Sequence, residues 1–326
     1  MRLNFYIGVY KMWFKQLTAW RLLDISKISN IGLLNNCLHE CRHKPITEMS
    51  WNSIGFIPML NSSSNTDTYA LKVQDTVRIC LKIEEKVLTS SMIRGVVDEK
   101  IAFIAQQEDR KVGRKEKAEI KEATIDELLP RALTKISTIE AVIDLKNRLL
   151  FVNNATASKA EIVLNCLREA LGGLIANRLL VNTPLTRIMT DWLLAGHVPH
   201  SFIFDSDCEL KGVGDSAPTI RASNQILTDD EIINHARDGK IVTQLGLQWR
   251  DGVKFILSQD FTLKRIQFLD SIQEDAAQDA DNFEQARNAS QILMTDALST
   301  LINEIAEIAG GWLENQKDEF TGQLFS

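Results

Sequence analysis

Apolar residues recur along this chain with two different periods, and the change from one period to the other predicts strands and helices. The runs WFKQLTAWRLL and VRICLKI, within residues 13–83, are rich in apolar and strand-forming residues. A helical pattern and the polar stretch NSSSNTDT lie between them. Residues 13–83 are therefore predicted to contain both helical and extended structure.

From Met92 onward the spacing becomes that of an amphipathic helix. Four apolar residues recur at intervals of four, four and three and so share one helix face: Ile93, Val97, Ile101 and Ile104. The helical composition continues, with a break expected at Gly113, until Pro130 ends it after Leu129. This pattern predicts a helical arm or a helical hairpin.

Two later segments have strand-like apolar runs on both sides of a short turn, which predicts two β-hairpins. The first is IEAVIDLKNRLLFVN, with its turn at residues 146–148. The second is KIVTQLGLQWRDGVKFILSQ, with its turn at residues 250–252. Together with the helices, these hairpins predict the α+β fold class.

Further helices are predicted from caps, apolar spacing and glycine stops. Ser158 with Glu161, and Thr228 with Glu231, fit capping boxes, and the glycines at 172, 173 and 239 end the two helices. An acidic linker is expected at residues 274–284. The chain then closes with a long amphipathic helix that ends at Gly310 and Gly311, with these residues on its apolar face: Leu293, Ala297, Leu301, Ile305 and Ile308.

Composition places the chain among soluble globular proteins with two or three hydrophobic cores. It has 326 residues, of which 44% are hydrophobic and 25% are charged. Its five scattered cysteines are an odd number, which favours reduced thiols and a cytoplasmic location. The N-terminal apolar run is too short for a secretory signal, and no segment has the roughly 20 apolar residues that span a bilayer.

Two short motifs resemble sites of chemistry, but their spacing argues against it. In CLHECRH, residues 37–43, a continuous helix would place the cysteines and the histidines on different faces, so no metal is expected. GVGDSA, residues 212–217, resembles a dinucleotide fingerprint, yet Pro218 follows and no helix opens there. We therefore expect neither a cofactor nor a catalytic residue, and we interpret the chain as a protein that is not an enzyme.

The segment from Arg110 to Lys121 is the one charge feature that departs sharply from its surroundings. It contains six Lys or Arg and two Glu, a local balance of +4, in a chain with a net charge of -6. One interpretation is a solvated helix surface on which Lys and Glu support each other. The other is a nucleic-acid contact, in which the cations displace counterions from phosphates without reading the base sequence. Charge alone leaves both open.

As a whole the chain resembles the RdgC family, the recombination-associated nucleoid proteins of bacteria. The resemblance is carried by motifs that occur in family order over roughly 300 residues. They are MWFKQL, RICLKIEEKVL, LLPRAL, LTDDEIINHARDGKIVTQLGLQW, LKRIQF and ILMTDAL. Each motif is weak alone, whereas their ordered combination is specific.

The resemblance implies a horseshoe-like subunit of several domains that pairs into a ring-shaped homodimer. The positively charged hole of that ring encircles double-stranded DNA with little sequence preference and restrains RecA-driven recombination. The implied division is an N-terminal extension at 1–11, a central α+β domain at 12–88 and 138–180, a helical arm at 89–137 and a second α+β domain with the C-terminal helix at 181–326. RecA is a possible direct partner, and the location is nucleoid-associated cytoplasm.

The resemblance also implies site residues. The family's basic positions match Arg110, Lys111, Arg114, Lys117, Arg131 and Arg221, and charge and proximity add Lys115, Lys121 and Lys135. Leu133 stands where family members often have Phe, in a segment that closes the ring between subunits. Ser223 and Asn224 replace frequent lysines, so DNA binding weaker than the family norm is expected.

Two other classes of function remain as alternatives. The chain could be a protein interaction module of the recombination machinery, with the arm and the C-terminal helix as its binding surfaces and DNA contact incidental. A metal-dependent nuclease that uses the cluster at 37–43 is the third and weakest alternative.

Overall fold

Two antiparallel sheets and eight helices make up the part of the chain that the computed structural model describes, namely residues 13–59, 68–199, 201–214, 217–269, 273 and 283–313. The helices are α1 (Ser26–Ser29), α2 (Ile31–Glu40), α3 (Ser90–Gln107), α4 (Arg114–Leu128), α5 (Ala157–Leu171), α6 (Leu185–Ala195), α7 (Asp230–Arg237) and α8 (Phe283–Ile308). A short 3-10 helix, Leu129–Arg131, follows α4. The predicted α+β class is confirmed.

The first sheet has seven strands in the order β2-β4-β5-β6-β1-β7, and β3 pairs with β4. These strands are β1 (Thr18–Leu22), β2 (Asn52–Ile57), β3 (Leu71–Val73), β4 (Thr76–Lys86), β5 (Thr134–Asp144), β6 (Leu149–Val152) and β7 (Ala176–Arg178). The second sheet has five strands in the order β12-β11-β10-β8-β9. They are β8 (Phe202–Lys211), β9 (Thr219–Ala222), β10 (Ile241–Trp249), β11 (Val253–Ser258) and β12 (Leu263–Phe268).

Both faces of the first sheet are covered because its strands carry apolar residues on both sides. On one face Val77, Ile79 and Leu81 of β4 belong to a cluster that includes Leu34 of α2 and Leu164 of α5. On the other face, strands β5 and β6 contribute to a second cluster that contains α8 and the inner face of the second sheet. The two sheets therefore share one apolar core.

The polar side of α8 also packs on the first sheet, through buried hydrogen bonds. Gln291 Nε2 donates to Thr76 Oγ1 over 2.8 Å, and Ser299 Oγ donates to Asp144 Oδ2 over 2.5 Å. Backbone hydrogen bonds between Leu17 and Leu263 in both directions join the two sheets at a second point. Because buried polar groups need partners, these bonds fix the position of the C-terminal helix.

Most of the predicted elements are confirmed. β5 and β6 form the first hairpin, β10 and β11 form the second, and α8 is the long C-terminal helix. Gly172 lies in the left-handed region with φ of 63° at the end of α5, and Gly113 is the residue that precedes α4. The 3-10 helix that contains Pro130 ends the arm where the sequence predicted.

Both predicted capping boxes were wrong. The residue before α5 is Thr156 rather than Ser158, and the residue before α7 is Asp229 rather than Thr228. Neither makes a side-chain capping bond. At α5 the entry is set by other contacts, since Asn154 Oδ1 accepts from the Thr156 amide and Gln16 Oε1 accepts from the Ala155 amide.

Several predicted features lie wholly or partly outside the described residues. These are the extension at 1–11, residues 274–282 of the acidic linker, and Asp215 and Ser216 of GVGDSA. The last residue of the predicted linker, Glu284, belongs to α8. Among the helices that the structure describes, none has the length and apolar character needed to cross a membrane. The division into domains stays a prediction.

Gly55 and Gly95 form a pair for testing the packing of the first sheet. A Cβ on Gly55 would lie 2.4 Å from the backbone of His43, whereas a Cβ on Gly95 of α3 has no neighbour within 4 Å. We expect Gly55→Ala to lower the free energy of unfolding by roughly 1–3 kcal/mol or more, because the backbones must move apart. Gly95→Ala should raise it by about 0.5–1 kcal/mol, because alanine is the better helix former. Urea denaturation measures both, and equal effects would contradict the packing described.

Candidate nucleic-acid interface

The arm is a helical hairpin that stands on the ends of two paired strands. β4 enters it and β5 leaves it, and these strands pair from Thr76↔Asp144 to Lys86↔Thr134. Beyond the last pair the Val87 amide donates to Leu133 O over 2.7 Å. Within the arm α3 packs against α4, and Lys100 Nζ lies 2.6 Å from Glu127 Oε2 across the hairpin. The arm is thus held at its root and along its length.

Charge is segregated on α4. Arg114, Lys117 and Lys121 are separated by three and four residues, so they share one face, and all three are exposed. The acidic residues Glu119, Glu122 and Asp126 have the same spacing. At 3.6 residues per turn, the centres of the two groups lie roughly 140° apart around the helix. The cations therefore form one continuous face, which we call the basic face of α4.

Lys115 does not belong to that face. Its position on the helix puts it among the acidic residues, and its Nζ lies 4.0 Å from Glu119 Oε1. Both side chains are exposed, so the pair is a weak surface interaction. Of the four cations that the sequence predicted on α4, the structure brings three together and separates the fourth.

Arg110 is bound to carboxylates in the turn that joins α3 to α4. Its Nε donates to Glu108 Oε2 over 2.5 Å, and its Nη1 and Nη2 donate to the two oxygens of Glu116 over 2.7 and 2.6 Å. The bonds to Glu116 and then to Glu108 raise the pKa of Arg110, and the Arg110 bond lowers the pKa of Glu116. The guanidinium therefore fastens the turn to the first turn of α4, while the next residue, Lys111, is exposed.

The other predicted cations near the arm lie at its root. Arg131 is exposed in the 3-10 helix, and Lys135 is exposed on β5, directly opposite Glu85 of β4. Because α4 rises about 1.5 Å per residue, its 15 residues separate these two from Lys111 by roughly 20 Å. The predicted cations are thus distributed along the arm rather than gathered at one point.

Leu133 is the most exposed large apolar residue of the arm root, with 80% of its surface accessible. Its cross-strand neighbour Val87 is 40% exposed. Ile136 of β5 is also exposed, at 59%, but it lies on the opposite face of the strand, and Trp51, which is 44% exposed, precedes β2. We call Leu133 and Val87 the root patch. Exposed apolar surface of this kind is typical of an interaction site.

Arg221 lies away from the arm, on β9 of the second sheet. Its Nε donates to Glu209 Oε2 over 2.7 Å. It lines a pocket of about 440 Å³ on the polar face of that sheet, together with other polar side chains that include Lys264 and Arg265. These two cations were not predicted from the sequence, although they lie in the motif LKRIQF that contributes to the family resemblance. The structure therefore does not place Arg221 on the same element as the other predicted site residues.

The alternating cysteines and histidines at 37–43 are dispersed. α2 ends at Glu40, so His43 lies beyond the helix and does not face His39 as it would on a continuous one. His39 contacts the ring of Tyr69, with centroids 5.5 Å apart, and His43 Nε2 lies 3.6 Å from Glu84 Oε2. Within the described ranges, no group of three or more His, Cys, Asp or Glu side chains is suited to hold a metal ion.

Fold and surface together define an α+β protein with two antiparallel sheets, of which the first carries a helical arm with a basic face. A family model described as "Putative exonuclease, RdgC" matches residues 12–312. The chain belongs to the RdgC family.

Curated relatives match over almost their whole length. A "Recombination-associated protein RdgC" of Neisseria meningitidis is 45% identical over 301 residues, which is 92% of this chain and 99% of the relative. Proteins of the same name from Laribacter hongkongensis and Serratia proteamaculans are 38% and 33% identical, over 93% and 92% of this chain and 100% and 98% of the relatives.

Proposed function

We propose that this chain is a sequence-tolerant double-stranded DNA-binding protein. In this proposal it is a homodimer that closes into a ring around DNA and so limits RecA-dependent recombination. It acts by occupying DNA and not as an enzyme. The name of the curated relatives supports the link to recombination.

The observation that carries the DNA proposal is the basic face of α4. A solvated helix that needs only internal support would be expected to mix its charges, whereas here Arg114, Lys117 and Lys121 share one side of α4 and, of the cations of this helix, only Lys115 lies on the acidic side. A row of exposed Lys and Arg binds phosphates through counterion release and reads no base sequence. The acidic side of the same helix would face away from the DNA, which keeps the protein soluble.

The root patch supports the homodimer. Two subunits close a ring only if they meet at two places, and a meeting point through which the two-fold axis passes uses the same surface on both subunits. Leu133, with Val87 beside it across the strands, offers such an exposed apolar surface at the base of the arm. A closed ring is retained on DNA by topology, so it needs fewer phosphate contacts than an open binder.

A protein interaction module is the second candidate, and one observation favours it. Phe103 of α3 is 63% exposed and Met92 of the same helix is 52% exposed. Large exposed apolar side chains on an arm can serve as anchors for a partner helix. In that case DNA affinity would be weak and would depend little on salt.

Lys117 and Lys115 provide a matched test of the basic face, because they lie two residues apart with the same charge on different sides of α4. We expect Lys117→Ala to reduce the slope of log affinity against log salt by about 0.9, the value for one phosphate contact on B-DNA. Lys115→Ala should leave the slope unchanged. Titration of fluorescent duplex DNA at salt concentrations from about 50 to about 300 mM measures the slope for each variant.

The triple variant Arg114→Ala, Lys117→Ala and Lys121→Ala should lower the slope by roughly three times as much. Equal slopes for the wild type, the Lys115 variant and the triple variant would contradict DNA binding by this face and would favour the interaction module. Incubation of the same duplex with Mg²⁺ tests the non-enzymatic part of the proposal, since shortened strands would contradict it.

Leu133 and Val213 provide a test of ring closure, because they are similarly exposed, at 80% and 83%, in different parts of the fold. We expect Leu133→Asp to open the ring, because a buried carboxylate without a partner is costly at an interface. After a jump to high salt, the wild type and Val213→Asp should dissociate more slowly from covalently closed circles than from the same DNA made linear. The Leu133→Asp variant should dissociate from the circular and the linear DNA at the same rate. The same rate on both DNAs for the wild type would contradict encirclement.

A further inference from the structure

The pocket on the polar face of the second sheet contains two ion pairs, and in each pair the carboxylate is more buried than the arginine. Glu209 is 17% exposed and Asp207 is 22% exposed, whereas their partners Arg221 and Arg265 are 76% and 69% exposed. Glu209 is held further by Thr243 Oγ1 at 2.9 Å. The carboxylates therefore form the floor of the pocket and the guanidinium groups form its rim.

The hydrogen bonds within the pocket leave donors on the rim. Arg221 uses Nε for Glu209, and Arg265 uses Nη1 for Asp207. Each guanidinium has five N–H groups, and the bond to its carboxylate uses one of them. Lys264 Nζ contacts an uncharged group, the side-chain oxygen of Gln244, over 3.3 Å. With three cations and two carboxylates in its lining, the pocket has a net charge of +1.

An irregularity in β12 brings two of these cations to the same place. Consecutive residues of a regular strand point to opposite faces, yet Lys264 and Arg265 both line this pocket. The pairing register of β11 and β12 shifts between Lys254 and Ile256, and Arg265 lies in the left-handed region with φ of 49°. Such a bulge redirects the side chains beside it, and here it turns Arg265 toward the pocket.

Gly246 of β10 lets Asp207, one of the two carboxylates of the floor, lie close to the strand. A Cβ at this position would lie 2.9 Å from the carbonyl oxygen of Asp207, so only glycine lets β8 approach this closely. Burial opposes ionisation of Glu209, but hydrogen bonds from Arg221, Thr243 and Gln244 outweigh it and hold the pKa of Glu209 below its usual value. Glu209 therefore stays negatively charged at neutral pH and keeps Arg221 in position.

We infer that this pocket is a second phosphate site, in which Lys264, Arg265 and Arg221 bind a phosphodiester group of the DNA backbone. The inference rests on the proposed function and adds to it Lys264 and Arg265, which lie on a different sheet from the one that carries the arm. A phosphate matches the site because guanidinium groups bind its oxygens through paired N–H donors, while lysine supplies a point charge. The carboxylate floor limits the net charge, so the site favours a singly charged phosphodiester.

Three variants test the site, with effects of opposite sign. Lys264→Ala should reduce the salt slope of duplex binding by about 0.9 and weaken affinity about five- to tenfold near 0.1 M salt. Asp207→Asn should steepen the slope and tighten binding, because it releases Arg265 from its partner, and loss of folding cannot produce that result. Lys254→Ala is the matched control, since Lys254 Nζ lies 3.5 Å from Asp205 outside the pocket lining, and it should change neither quantity.

The outcomes separate this inference from the proposed function. If the arm variants lower the slope while Lys264→Ala and Asp207→Asn behave like the control, the pocket inference is wrong and the proposed function stands. If no variant changes the slope, both are wrong. Calorimetric titration with inorganic phosphate tests a free phosphate as the source, and phosphate binding that requires Lys264 without any effect on DNA would overturn the assignment to nucleic acid.

Discussion

The pairing of β4 with β5 is the constraint on which the rest of the arm depends. The two strands are paired over their full length, and the helical hairpin is inserted at the end where Lys86 meets Thr134. Lys86 Nζ also donates to Ala132 O over 3.4 Å, which joins the strand to the returning chain. Because a shift of one residue would turn every strand side chain to the other face, the register fixes the direction in which the arm leaves the sheet.

The number of cations in a segment differs from the number that an anion can reach. In this arm Arg110 is occupied by Glu108 and Glu116, and Lys115 lies among acidic residues. What remains is a narrower face made of Arg114, Lys117 and Lys121. The second sheet follows the same rule, since its carboxylates hold the arginines in place from below and leave their outer donors exposed.

The sequence predicted those parts of the fold that depend on local periodicity. Both hairpins, the arm with its break at Gly113, and the C-terminal helix could be identified because each repeats its own apolar pattern. The start of α5 was missed because it depends partly on Gln16, which is 139 residues away in sequence and accepts a hydrogen bond from the Ala155 amide. The pocket was missed because a bulge at Arg265 breaks the alternation from which strand faces are predicted.

Lysine footprinting shows directly whether the basic face of α4 lies against duplex DNA. The protein would be acetylated briefly with and without a saturating duplex, and the modification of each lysine measured by mass spectrometry. We expect DNA to protect Lys117 and Lys121 from acetylation. Lys115 on the other side of α4 and Lys159 on α5 should be acetylated to the same extent with and without DNA. Equal reactivity of Lys117 and Lys121 with and without DNA would contradict it.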